Sequence, residues 1–170
     1  MEAIIFGSGP SRALIDKVPA HIFTVSCNLS YPNANLIFAQ DEPILEKLNA
    51  RDVKGLTTQA IFAPFRMYEK FGGKRVMLLD EDKLWPNSQG LSTGVLAIGT
   101  MLKLGFNKIY LCGFEFTKER FPFQKLSIIG SSNYDKLYRI VDSEAILKVD
   151  MACGINYITP RVFYECTTSK

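Results

Sequence analysis

Four short segments of the chain combine residue types suited to holding a ligand, and each follows or opens an apolar run. The first is Gly7-Ser8-Gly9-Pro10-Ser11. Glycines let a backbone turn tightly and approach a ligand, and a helix opening at Pro10 would present free N–H groups to an anion. The same residues also read as a plain strand-to-helix turn. They match neither G-x-G-x-x-G nor a Walker A sequence, so nicotinamide and P-loop chemistry lose support. The second is Cys27-Asn28, where an amide that both donates and accepts suits a nucleobase or a ribose. Asparagine also commonly just closes a strand. The third, Gln89 to Gly94, offers Ser92 and Thr93 to a phosphate or ribose, although a simple N-cap explains Ser92 equally well. The fourth, Gly113-Phe114-Glu115-Phe116, places a glycine and an acid where a sugar could meet them.

Two further patterns bear on chemistry. Asp80-Glu81-Asp82 is a D-x-D after an apolar run, and hard carboxylates such as Asp80 and Asp82 suit Mg²⁺ or Mn²⁺ on a diphosphate. A solvated acidic turn is the competing reading. His21 is the sole histidine, which excludes chemistry needing two histidines. It follows Pro19-Ala20 at the start of a strand and reads as structural. The cysteines Cys27, Cys112, Cys153 and Cys166 form no C-x-x-C and read as reduced core thiols.

The elements that must position these residues follow from apolar patterning. Ala3–Phe6, Ile22–Cys27, Asn35–Ala39, Gln59–Ala63, Arg75–Leu79, Lys108–Gly113 and Ile155–Ile158 read as strands. Helices are expected over Pro10–Lys17, Asp41–Ala50, Thr93–Leu104 and Asp142–Cys153, with one or two helical turns over Phe65–Phe71. Lys83–Gly90 and Thr117–Tyr134 read as loops. Strands alternating with helices imply an α/β chain with a mainly parallel, Rossmann-like sheet. In such sheets ligands bind beyond the carboxyl ends of the strands, where all four segments fall.

The 170 residues fit one domain spanning 1–170, and 47% hydrophobic with 22% charged residues fits an ordinary globular chain. A formal charge of +3 neither requires nor excludes a polyanion partner. The opening residues lack a basic n-region, and no apolar run approaches the ~20 residues a bilayer demands. No membrane partner and a cytoplasmic location are therefore expected, the host cytoplasm if the source is a phage.

In this order and at these intervals, the four segments resemble the bacterial CMP-sialic acid-dependent sialyltransferases that act on lipooligosaccharide. That family carries a G-N-G-P-S loop after its first strand, a C-N pair after its second and a T-S-G-V helix start. An A-x-x-L-G-[YF]-x-x-I-Y-L-x-G-x-[DE]-F stretch follows. The counterparts are Gly7 to Ser11, Cys27-Asn28, Ser92-Thr93-Gly94-Val95 and Gly105 to Phe116. Other G-x-G-P-S α/β proteins, pterin pyrophosphokinase-like ones among them, share the first loop.

The resemblance implies a GT-A-like sialyltransferase-type fold, a CMP-sugar as donor, and neither a cofactor nor a required metal. By resemblance the nucleotide-binding set is Gly7, Ser8, Gly9, Pro10, Ser11, Asn28, Ser92, Thr93, Gly94 and Gly113, with Gln40 on the donor sugar. Departures accompany it. The family's catalytic histidine falls within Ser131 to Tyr138, which holds none. Two phosphate-steadying tyrosines correspond to Thr117 and Phe123, and a family arginine to Gly90. The family's membrane-associating C-terminal part is expected to be missing as well. Sialic acid itself thus fits poorly, while nucleotide-sugar binding stands.

Inverting transfer needs a base for the acceptor hydroxyl and groups that stabilise the departing phosphate. Asp135 is the nearest replacement for the histidine, with Glu115 and Asp41 as competitors; Lys118, Arg120 or Tyr134 would serve the phosphate. The expected acceptor is DNA bearing hydroxymethylated bases, glycosylated with a pentose such as arabinose, as in viruses of bacteria. Arg66, Lys70, Lys74, Arg75, Lys118, Arg120 and Lys125 would supply its basic surface, with Phe65, Tyr68, Phe71, Trp85 and Phe121 for stacking. The alternatives are a sialyltransferase-like enzyme acting on a surface glycan, and a catalytically silent nucleotide-binding module.

Overall fold

Apolar residues alternate between the two faces of a single sheet, and that alternation explains where each helix packs. The computed structural model describes residues 1–58, 60–64, 69–70, 76–79, 93–114, 147–149 and 155–158. Its strands are β1 (Glu2–Phe6), β2 (Phe23–Cys27), β3 (Leu36–Phe38), β4 (Ala60–Pro64), β5 (Val76–Leu79), β6 (Lys108–Cys112), β7 (Leu147–Val149) and β8 (Ile155–Ile158). A 3₁₀ helix covers Pro10–Leu14, α1 covers Glu42–Ala50 and α2 covers Thr93–Lys103.

The sheet order is β5-β4-β3-β2-β1-β6-β8-β7. From β5 across to β6 every neighbouring pair is parallel, while β8 runs antiparallel to β6 and β7 antiparallel to β8. The chain moves outward from β1 to β5 and then returns to the other side of β1 as β6. Strand order therefore reverses between β1 and β6, the place where open α/β sheets form their ligand crevice.

Successive side chains of a strand point to opposite faces. Ala3, Ile5, Val25, Phe38, Ile109 and Leu111 pack with Val95, Leu96, Ile98 and Met101 of α2 on one face. On the other, Ile37, Ala39, Ile61 and Ala63 meet Leu45 and Leu48 of α1, and Ile4, Phe6, Tyr110 and Cys112 meet Ile15. Covering both faces is what makes the strands read as nearly unbroken apolar runs. The same burial explains α2, in which every residue from Gly94 to Leu102 is buried, so its apolar residues surround the helix instead of forming one stripe.

Two expected helices come out differently. The helix expected over Pro10–Lys17 is 3₁₀ and stops at Leu14, because Ile15 turns extended (φ −116°, ψ 108°) and enters the core at 9% exposure. The helix expected over Asp142–Cys153 is contradicted at Leu147–Val149, which pairs as β7 with β8 in the register Leu147↔Tyr157 and Val149↔Ile155. Pairing with a neighbouring strand overrides the local helical pattern there, and the Leu-Lys-Val alternation suits it. The rest of that span, together with 65–68, 71 and the loops expected at 83–90 and 117–134, lies outside the described residues.

Candidate functional site

Register brings the sequence segments together. Phe6 pairs with Ser26 on one side and Cys112 on the other, and Cys27 pairs with Phe38. Gly7, Asn28, Ala39-Gln40 and Gly113 consequently leave the sheet along one edge. Three strand spacings of ~4.8 Å separate β6 from β3, so these ends span roughly 14 Å. His21 is remote from them: it is exposed, with Nε2 4.0 Å from Glu2 at the start of β1, where Lys108 also reaches Glu2 at 3.4 Å.

On the β6 side of β1, backbone meets backbone. The Gly7 N–H donates to the Cys112 carbonyl at 2.7 Å, and the Gly9 N–H to that of Gly113 at 2.7 Å. The Gly113 N–H donates to Ser11 Oγ at 2.8 Å. A Cβ on Gly7 would lie 2.5 Å from the Gly113 carbonyl oxygen, and one on Gly113, whose φ is +84°, 2.3 Å from that of Gly7. Glycine is thus required at both positions by close approach of one loop to the other. These contacts engage the N–H groups of Gly7, Gly9 and Gly113 within the protein. The helix behind the loop adds little: it has 5 residues, Pro10 has no N–H, and the Arg12 N–H already donates to the Gly9 carbonyl at 3.1 Å. Ser8 is half-buried and has no hydrogen-bond partner among the described residues.

On the β2–β3 side, side chains take over. Asn28 adopts the left-handed region at φ 58°, which asparagine tolerates better than most residues. Its N–H donates to the Phe38 carbonyl at 2.8 Å, and its carbonyl accepts from Ser26 Oγ at 3.2 Å. The Asn28 Oδ1 is buried and has no hydrogen-bond partner among the described residues. Gln40, half-buried at the end of β3, donates through Nε2 to Thr93 Oγ1 at 3.0 Å, which joins β3 to the start of α2. Asp41 follows it, exposed, at the N-cap of α1 with no side-chain capping bond.

Burial pushes the Cys27 thiol up to about 12, so it stays protonated and is no nucleophile. Arg12, absent from the motif reading, is buried at 7% exposure, and desolvation lowers its pKa below the usual guanidinium range. It ties the 3₁₀ helix to the turn after β2, donating from Nε to the Ser30 carbonyl at 2.6 Å and from Nη1 to the Ile15 carbonyl at 2.6 Å. Only its position directly after the Gly-rich loop hinted at a role.

Of the expected site residues, Gly7, Ser8, Gly9, Pro10, Ser11, Asn28, Gln40, Asp41, Thr93, Gly94 and Gly113 are described, and all follow a strand end or open α2. Asp80, Asp82, Ser92, Glu115, Lys118, Arg120, Tyr134 and Asp135 lie outside the described residues. Among the described residues no three His, Cys, Asp or Glu side chains gather to hold a metal ion. Of the basic residues expected to face DNA, Lys70 is described. It pairs with Glu42, and that hydrogen bond raises its pKa.

An open, mainly parallel α/β sheet with helices packed on both faces defines a Rossmann-like architecture. Family models and curated proteins return no match to this chain. Among solved structures it is similar to monomeric CstII, with a TM-score of 0.51 and 18% identity over 74% of this chain and 66% of that one. A point variant of the α-2,3/8-sialyltransferase CstII gives a TM-score of 0.51 and 18% identity over 84% of this chain and 78% of that one. The fold is that of these sialyltransferase structures. No helix among the described residues is long and apolar enough to cross a membrane.

Proposed function

We propose that the chain is an inverting glycosyltransferase that takes a sugar from a CMP-sugar and passes it to a hydroxyl acceptor. One observation carries the reading: the buried, partnerless Oδ1 of Asn28 sits at the strand edge that also presents Ser8 and Gln40. A buried acceptor left unmatched costs about 1–3 kcal/mol, and a ligand that supplies a donor offsets that cost. The exocyclic amine of cytosine and the ribose hydroxyls are such donors. The fold shared with sialyltransferase structures and the order of the loops support the same choice.

In this reading the bond between the sugar's anomeric carbon and the CMP phosphate breaks as the acceptor oxygen bonds to that carbon. CMP leaves with the bonding electron pair. A carboxylate, Asp135, Glu115 or Asp41, takes the acceptor's proton, and Lys118, Arg120 or Tyr134 stabilises the departing phosphate. Asp41 is exposed next to Gln40, where a base would meet the sugar. The donor carries one phosphate and needs no metal in this reading, so activity is expected to survive EDTA.

A thermal-shift series with CMP, UMP, GMP and CMP-sugars tests the binding half, because a ligand that binds only the folded state raises the midpoint by RT ln(1 + [L]/Kd). CMP is expected to raise it and GMP to leave it unmoved; no shift from any cytidine nucleotide overturns the assignment. CMP release with a glycan in one arm and hydroxymethylated DNA in the other then identifies the acceptor. Tight CMP binding without turnover in either arm assigns a non-catalytic nucleotide-binding module instead.

A further inference from the structure

Arg12 lies outside every recognised motif, yet its side chain joins the two loops on which the proposed nucleotide seat depends. Its guanidinium lies over the Phe6 ring at 4.8 Å and the Tyr31 ring at 4.6 Å. One nitrogen donates to the carbonyl of Ser30, in the turn after β2, and another to that of Ile15, at the end of the 3₁₀ helix. Ser30 in turn donates through Oγ to the Cys27 carbonyl at 2.8 Å, and the Tyr31 N–H donates to Ser26 Oγ at 2.8 Å. Ser26 Oγ also donates to Asn28. Asn28 is thus held at φ 58° by a turn whose far end is anchored to Arg12. On its own side Arg12 extends the loop that presents Ser8, through its N–H to the Gly9 carbonyl.

We infer that Arg12 is a positioning residue that fixes the Ser8–Gly9 loop against the Asn28 turn and so sets the width of the nucleotide seat. The inference rests on the CMP-sugar reading above. Arginine is specified over lysine because a planar guanidinium can lie against both rings, which also touch each other at 4.5 Å between centroids, while its fixed fork of donors reaches two carbonyls at once. A lysine ammonium also donates in several directions, but it is a compact point charge on a flexible stem, without the planar face or the rigid fork. Separating the two loops would leave Asn28 and Ser8 chemically intact but no longer able to contact one ligand together.

A double-mutant cycle on the full chain tests this, with CMP as the probe. Arg12→Lys is expected to raise the Kd for CMP about tenfold in protein that is still folded, within the range for residues sharing one network. Asn28→Gly removes the amide and keeps the left-handed backbone without strain. On that background Arg12→Lys is expected to add less than about twofold, because the contact it positions is already gone. Tyr31→Leu removes one of the two rings beside the guanidinium, keeps both backbone acceptors of Arg12 and should give a smaller loss of the same sign, which covers the case of an unfolded lysine variant. Equal CMP affinity in wild type and Arg12→Lys, or strictly additive losses, overturns the positioning role while the nucleotide reading stands. Failure of the wild type to bind CMP overturns both.

Discussion

The two flanks of β1 end in opposite ways. Toward β6 the loops seal against each other through glycine backbones, with Gly7, Gly9 and Gly113 all hydrogen-bonded within the protein. Toward β2 and β3 the edge is built of side chains, with one buried acceptor unmatched at Asn28 and a Gln40–Thr93 bridge. Strand order reverses at the sealed flank, where topology alone would put a ligand. The difference teaches that the switch point here is closed by backbone contacts, and that in the proposed reading the ligand seat lies one or two strands away, toward Asn28. Glycine permits the close approach on one flank, and polar side chains end the strands on the other.

The largest expected effect breaks the sealed flank. Gly113→Ala places a Cβ 2.3 Å from the Gly7 carbonyl oxygen and 3.2 Å from the Gly9 nitrogen, at φ +84°. These are backbone atoms that cannot rotate away, so overpacking and left-handed strain add. A loss of about 3 kcal/mol or more is expected in urea unfolding. A variant as stable as wild type would show that the loops are not in contact.

The second effect compares the cysteines that end β2 and β6. Cys112 lies against Ser11, its thiol donating to the Ser11 carbonyl at 3.4 Å. Cys27 faces the apolar core under α2, and burial raises its pKa from 9.0 to about 12. Above the lower value the unfolded chain releases this proton while the folded chain keeps it. The folded state then binds more protons, and stability falls as pH rises from about 9 toward about 12. Between about pH 9 and 11 a loss of about 2 kcal/mol is expected from this group. Cys27→Ala should flatten that slope in urea titrations, and an unchanged slope would show that the thiol ionises freely in the folded protein.

Much of this contrast was hidden in the sequence, and the reason is physical. β1, β2, β3, β6 and α2 were legible because burial on both faces leaves nearly unbroken apolar runs, interrupted in β2 by Thr24 and Ser26, and bounded by Gly7, Asn28 and Gly105. Asn28 and Gln40 were legible as polar residues that close such runs. β7 was misread because three residues carry too little periodicity to outweigh a helical neighbourhood, and its strand exists only by pairing with β8. The Gly7–Gly113 contact joins residues distant in the chain, so the sequence could not show that the close approach these glycines permit is made to the end of β6. Arg12 escaped for the same reason: Phe6, Ser30 and Tyr31 converge on it only after folding.

On the open flank, Asn28→Gly should separate binding from stability. Removing the amide deletes an unmatched buried acceptor, and glycine accepts φ 58° at little cost. Stability should change by less than about 1 kcal/mol, while CMP affinity drops roughly tenfold, the equivalent of one lost ligand hydrogen bond. A loss of stability comparable to that of Gly113→Ala, with CMP affinity intact, would make Asn28 a structural residue like its counterparts across β1.

The smallest effect divides the open flank itself. Thr93→Val keeps the side chain's shape and removes the hydroxyl that accepts from Gln40 Nε2. Gln40 is half-buried, so water can replace part of what it loses, and stability should fall by only about 0.5–1 kcal/mol. The informative quantity is a ratio. If Gln40 faces the sugar and the bridge merely aims it, KM for a CMP-sugar should rise about threefold while the Kd of plain CMP stays near the wild-type value. If instead the Thr93 hydroxyl touches the nucleotide, both constants should move together, and the boundary between the sugar and nucleotide halves of the seat would then lie at Gln40 and not at the bridge.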